Sequence, residues 1–93
     1  MSDNLKKEID ELFELILSIN SKEDLEIFFE DLCTYKEIDS MAQRLQSAKL
    51  LMGGATYEEI IRKTDISSAT LSRVSRCVKY GKGYKKILKK EEK

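Results

Sequence analysis

Residues 56–80 read TYEEIIRKTDISSATLSRVSRCVKY, and this stretch decides the fold. Thr56-Tyr57-Glu58-Glu59 is a capping box: a threonine at the helix start can accept from the amide three residues on, while that glutamate reaches back. The helix it opens turns Ile60 and Ile61 inward and stops near Thr64. Asp65-Ile66-Ser67 forms a tight turn, and a second helix runs to about Tyr80, before Gly81. Two helices joined by so short a turn form a helix-turn-helix only if particular inward positions are apolar. Ile60, Ile61, Ile66, Leu71 and Val74 occupy those positions. Asp65 falls where the turn usually needs a positive φ, which Asp tolerates better than most side chains. Two packed amphipathic helices can imitate the same pattern.

The second helix has two faces. Leu71, Val74 and Val78 share one, with Cys77 flanking. Roughly opposite, at about 100° per residue, lie Ala69, Ser72, Arg73, Arg76 and Tyr80, with Thr70 and Lys79 at the edges. Small residues at the front let the backbone approach base edges, and arginine pairs bidentately with guanine in the major groove. Ser67 or Ser68 caps this helix and can hydrogen-bond a phosphate at its N-terminus. No Asp or Glu interrupts residues 66–90. The candidate DNA-contacting set is therefore Thr56, Tyr57, Ser67, Ser68, Ala69, Thr70, Ser72, Arg73, Arg76 and Lys79. Lys63, Lys79, Lys82, Lys85, Lys86, Lys89 and Lys90 suit phosphate contacts, which set affinity and not sequence choice. For residues 89–93 a solubilising tail explains the lysines equally well.

Working outward, every element reads as helix. The first runs from about Asp3 to Ile19 with Leu5, Ile9, Leu12, Phe13, Ile16 and Ile19 at helical spacing, and Leu15 and Leu17 widen its apolar arc beyond half the circumference. An outer helix of a lone monomer needs a narrower stripe, so this one points to a partner chain. Ser21-Lys22-Glu23-Asp24 resembles a capping box and opens a short helix that buries Leu25, Phe28, Phe29 and Leu32. Thr34-Tyr35-Lys36-Glu37 opens a third, whose stripe is Ile38, Met41, Ala42, Leu45, Ala48 and Met52, and Gly53-Gly54 ends it. After Gly83, Tyr84, Ile87 and Leu88 give a last amphipathic turn or two. The expected organisation is one all-α domain over 1–93: dimerisation helices in 1–54, the helix-turn-helix in 56–80, and a C-terminal helix with basic tail in 83–93.

Composition bounds the function. Residues 1–40 carry twelve acidic and four basic side chains, residues 41–93 five and thirteen, so a net charge of zero hides an acidic half and a basic half. Two surfaces with different jobs would produce that split, as would ordinary solvated helix faces. There is no histidine, and Cys33 and Cys77 are the only cysteines, which excludes His-containing zinc sites and any four-cysteine site within one chain. Both cysteines fall on apolar faces and read as reduced core residues of a cytoplasmic protein. No nucleophile–base pair, phosphate loop or metal-ligand spacing is present, so neither an enzyme nor a cofactor is expected. No apolar run approaches the length of a membrane span.

The run Ala69-Thr70-Leu71-Ser72-Arg73, the preceding Thr56-Tyr57-Glu58-Glu59-Ile60 and Leu50-Leu51-Met52-Gly53 resemble the Trp repressor family over roughly residues 34–88. Nearly end to end, the chain resembles the family's shorter YerC/YecD relatives. The resemblance implies six helices in an intertwined homodimer, with reading helices about one DNA turn apart on a roughly palindromic double-stranded site. Carried over by position, the reading residues are Ser68, Ala69, Thr70, Ser72 and Arg73. In that family the co-repressor indole lies between two arginines beside a glycine. Arg73 matches one arginine, but Gln43 stands where the other aligns, Val74 replaces the glycine and Cys77 replaces a serine. Tryptophan is therefore not expected as co-repressor. The expected function is a sequence-specific, homodimeric transcriptional regulator, most simply a repressor. A helix-turn-helix dimer serving protein contact or non-specific DNA binding is the alternative.

Overall fold

The computed structural model describes residues 2–91, with side chains through residue 89. It contains six helices: α1 (Asp3–Ser18), α2 (Lys22–Leu32), α3 (Tyr35–Met52), α4 (Tyr57–Thr64), α5 (Ser68–Tyr80) and α6 (Gly83–Glu91). No strand occurs among the described residues, so the fold is all-α. The chain divides into two compact units, one ending at Tyr35 and the other beginning at Lys36.

Local chemistry sets the helix boundaries. Ser2, Ser21, Thr56 and Ser67 each sit in extended backbone at an N-cap, where the side-chain oxygen accepts from an amide three residues on. These bonds satisfy donors that a helix start otherwise leaves without partners. At α4 the box is reciprocal, with Thr56 N donating to Glu59 Oε1 at 2.8 Å and Glu59 N to Thr56 Oγ1 at 3.2 Å. Those bonds hold the Glu59 carboxyl below the usual carboxylate range, the backbone amide of Thr56 contributing most. α3 ends as the glycine pair predicts. Gly54 takes φ +93°, Gly54 N donates to Leu51 O at 3.0 Å and Ala55 N to Leu50 O at 3.0 Å. This is the paired-bond termination that closes a helix through a left-handed residue.

In the first unit, neither α1 nor α2 contains a buried residue. Leu25, Phe28 and Phe29 are half-buried and Leu32 is exposed, so the expectation that α2 buries all four is corrected for the chain taken alone. Leu17 is 85% exposed and Ile27 60%. The excess apolar arc inferred from the sequence is thus real and has no cover within these 35 residues.

The second unit has a true core: Ala48 of α3, Ile60 of α4, Ile66 of the turn, Leu71 and Val74 of α5, and Leu88 of α6. Leu50, Leu51, Met52, Ala55, Val78 and Tyr84 pack around it. Ile61 is 37% exposed and does not join it. Ile60 faces the core, and Ile61, about 100° around the helix, lies beyond the arc that the core covers. Cys33 and Cys77 are free and half-buried, and Cys33 caps the end of α2 instead of lying on its inner face. Ala42 and Leu45, expected on the inner stripe of α3, are exposed.

Candidate nucleic-acid interface

The joint between α4 and α5 is closed by hydrogen bonds as well as by apolar packing. Asp65 adopts φ 61°, ψ 16°, and its N–H donates to Ile61 O at 3.0 Å. Thr64 Oγ1 donates to Ile60 O at 2.8 Å and accepts from Ile66 N at 3.3 Å, which ties the last turn of α4 to the residue that plugs the core. Ser67 is the cap of α5: its Oγ accepts from Thr70 N at 3.2 Å and donates to Thr70 Oγ1 at 2.9 Å. With Ile60, Ile66, Leu71 and Val74 all at or below 2% exposure, the two helices and the turn form one packed unit. That unit is a helix-turn-helix.

Its outward face is α5. Ser68, Ala69, Ser72, Arg73, Arg76 and Lys79 are exposed, and Thr70 is half-buried at the edge with its hydroxyl engaged by Ser67. Leu71, Val74 and Ser75 on the opposite side are buried. The structure therefore brings the α5 candidates onto one solvent-facing surface, whose described side chains include no carboxylate. Thr56 and Tyr57 lie apart from them in the chain, at the start of α4. The Thr56 hydroxyl is occupied by Glu59, and the Tyr57 ring is exposed.

The supporting lysines sort less uniformly. Lys63, Lys82, Lys86 and Lys89 are exposed. The Lys85 ammonium donates to Lys79 O at 2.8 Å, placing a cation on the carbonyl end of α5, where the helix dipole favours it. The Lys90 side chain and residues 92 and 93, which completed the predicted basic tail, lie outside the described residues.

Sequence reading missed the device that joins α5 to α6. Gly81 N donates to Cys77 O at 2.8 Å, and a Cβ built on Gly81 would stand 2.6 Å from that same oxygen. Glycine is required by this close approach, with φ at an ordinary −85°. The sequence signal was there in Tyr80-Gly81, but only as a helix stop. Gly81→Ala is expected to force the joint open and cost about 1–3 kcal/mol, the usual range for overpacking, measured as a lowered midpoint in urea. An unchanged midpoint would show that the joint relaxes freely.

Comparison with known proteins follows the same lines. The family model for Trp repressor protein matches residues 7–92. The chain belongs to the Trp repressor family. Within it, the chain is similar to YerC, an uncharacterized protein of Bacillus subtilis strain 168, with 52% identity over 75 residues, or 81% of this chain and 72% of the relative. Two solved structures share the whole fold. A candidate Trp repressor from Staphylococcus aureus superposes with a TM-score of 0.87 at 40% identity, covering 98% of this chain and 95% of that one. A TrpR-like protein from Eubacterium eligens gives 0.88 at 41% identity, covering 96% and 94%. The Trp repressor family is one of DNA-binding regulators and not of enzymes. Among the described residues no helix is long and apolar enough to cross a membrane, and no cluster of His, Cys, Asp or Glu could hold a metal.

Proposed function

We propose that this protein is a homodimeric, sequence-specific transcriptional regulator, acting as a repressor in the cytoplasm, which reads a roughly two-fold symmetric DNA site through α5 without tryptophan. The observation that carries the reading is the exposed, carboxylate-free face of α5, mounted on a helix-turn-helix whose core is closed within one chain. Ser68, Ala69, Thr70, Ser72 and Arg73 form the N-terminal reading end, with Arg76 and Lys79 beyond. Ser67 caps the helix, and its hydroxyl contacts a phosphate by exchanging its bond to Thr70 Oγ1. Thr56 and Tyr57 contribute backbone contacts from the start of α4.

The dimer is supported by what a single chain leaves uncovered. α1 and α2 bury nothing, and the second unit carries an apolar groove between Leu45 of α3, Cys77 of α5 and Tyr84, Ile87 and Leu88 of α6. Apolar area of this extent is usually covered by a partner. The occupant that fits is a second copy, because one chain offers both the groove and uncovered apolar helices to fill it, and residues 1–35 and 36–93 also differ in charge. The first stretch holds ten acidic and three basic side chains, the second seven and fourteen.

Tryptophan has no evident seat at the positions the family uses for it. Val74 is 2% exposed and belongs to the core that locks α5 in place, so its side chain fills the space a glycine would leave. Gln43 carries no charge with which to flank an indole.

Titration of labelled duplex DNA tests the proposal. Binding that uses about 6–10 phosphate contacts should weaken on the order of a thousandfold or more between 50 and 200 mM salt, and added tryptophan should leave the curve unchanged. Absence of DNA binding at low salt would defeat the reading in favour of protein contact. A tryptophan-dependent shift would defeat its ligand-free part.

A further inference from the structure

The reading face of α5 is more ordered than a patch of polar residues. Ala69, Arg73, Arg76 and Tyr80 fall at i, i+4, i+7 and i+11, which at about 100° per residue places all four within a sector of roughly 60°. All four are exposed, the large Tyr80 ring at 81%. They form a single line along α5 about 16 Å long, given a rise of about 1.5 Å per residue. Ser68, Ser72 and Lys79 flank it on one side. Neither arginine is ion-paired or hydrogen-bonded to any other described side chain of this chain. The Ser67 hydroxyl donates to Thr70 Oγ1 and accepts from the Thr70 amide, so it is taken up by the cap, and Thr70 is half-buried beside it, off this line. The unengaged donors able to read bases on this line are therefore the two guanidinium forks.

Resting on the DNA-binding reading above, we infer that each half-site presents guanine at two positions one or two base-pair steps apart, read by Arg73 and Arg76, with thymine on the Ala69 side. Arg73 and Arg76 are separated by about 4.5 Å along the helix axis, against roughly 3.4 Å per base-pair step along each strand. Each fork can pair with O6 and N7 of one guanine, and the Ala69 methyl is suited to the thymine C5-methyl. Tyr80 closes the line at the end of α5 farthest from the reading terminus. Its phenol donates to a backbone phosphate there, a contact that positions the helix without selecting sequence.

The test is selection from random duplexes by the full-length protein at moderate salt, with Arg76→Gln and Tyr80→Phe selected in parallel. Glutamine pairs with adenine as arginine does with guanine, so Arg76→Gln should convert one column of each half-site from guanine to adenine and leave the other columns intact. Discrimination at that column should be on the order of 5- to 150-fold. Tyr80→Phe should weaken all sequences alike by a few-fold and leave the motif unchanged. If Arg76→Gln lowers affinity uniformly with every column preserved, Arg76 touches phosphate and the guanine assignment is overturned. An unaltered affinity in Tyr80→Phe would remove that residue from the interface. A wild-type motif without guanine overturns the inference while leaving DNA binding standing, whereas no retained duplex at all overturns the DNA-binding reading itself.

Discussion

Leu45→Glu is expected to abolish the dimer and, with it, much of the helical content of residues 3–32. In the single chain Leu45 is 41% exposed and lines the apolar groove of the second unit. A glutamate at a position that stays solvated would change stability by no more than about 0.5 kcal/mol. If a second copy fills the groove, the new charge is buried unpaired, at a cost of several kcal/mol. In a two-fold interface the same residue is present twice, so the penalty is paid at both copies and becomes comparable with a whole stability of about 5–15 kcal/mol. Sedimentation at low micromolar concentration should report about twice the 10.8 kDa chain mass for the wild type. The variant should report one chain mass or an unfolded species. Helicity supplies a second readout. α1 has 16 residues and α2 has 11, with nothing buried in either. Isolated helices shorter than about 12–15 residues are marginal in water, which α2 is and α1 only just exceeds. Leu45→Met should keep the dimer, because it conserves volume and polarity. A folded, wild-type-like dimer in Leu45→Glu would show that the groove lies outside the interface.

The parts of this fold that were legible in the sequence depend on neighbours in the chain. Ser21, Thr56 and Ser67 announced helix starts because a cap bonds to an amide three residues away. Asp65 announced its left-handed turn and Gly53-Gly54 a helix end for the same local reason. The two faces of α5 were legible because helical period alone separates Leu71 and Val74 from Arg73 and Arg76. Azimuth against the rest of the molecule was harder to read. Ile61 was placed inward beside Ile60, yet the core covers only Ile60, and helical period alone does not say how wide an arc of α4 its neighbours cover. The four apolar residues of α2 were read as buried because apolar periodicity marks a face that needs cover without saying which chain supplies it. The Lys85 contact depends on how the chain turns from α5 into α6, which helical period does not encode, and Tyr80-Gly81 signalled a helix stop without showing how closely Gly81 approaches Cys77 O. At the candidate site, residue types gave the exposed face. They could not show that Glu59 already holds the Thr56 hydroxyl, or that Ser67 holds that of Thr70.

Leu71→Ala and Ser72→Ala, adjacent on α5, should separate stability from DNA reading. Leu71 is fully buried and meets Ile60, Ile66 and Val74 in the core that fixes α5 on α4. Truncating it removes the transfer free energy of the lost carbons and leaves a cavity, together about 2–5 kcal/mol. At roughly 4–8 °C per kcal/mol for a chain of this size, the fall in melting temperature should be at least about 8 °C. The consequence is local as well as global, since Leu71 anchors the start of the reading helix, while Val74 and Ser75 are buried farther along it. At its start the Ser67 and Thr70 side chains bond only to each other and to the Thr70 amide, and the residue after the Asp65 turn, Ile66, is seated in the same core as Leu71. DNA binding by Leu71→Ala should therefore fail at temperatures where the rest of the protein is still helical. Ser72 is exposed on the front, so its truncation should leave the melting temperature within about 4 °C of wild type, as for other surface changes of about 0.5 kcal/mol or less. Its cost appears only as weaker binding to the selected duplex. Heat denaturation followed by circular dichroism, beside DNA titration at a fixed low temperature, gives both axes. Equal loss of stability in the two variants would mean that α5 is not anchored by the face that Leu71 presents, and the helix-turn-helix would have to be held from elsewhere.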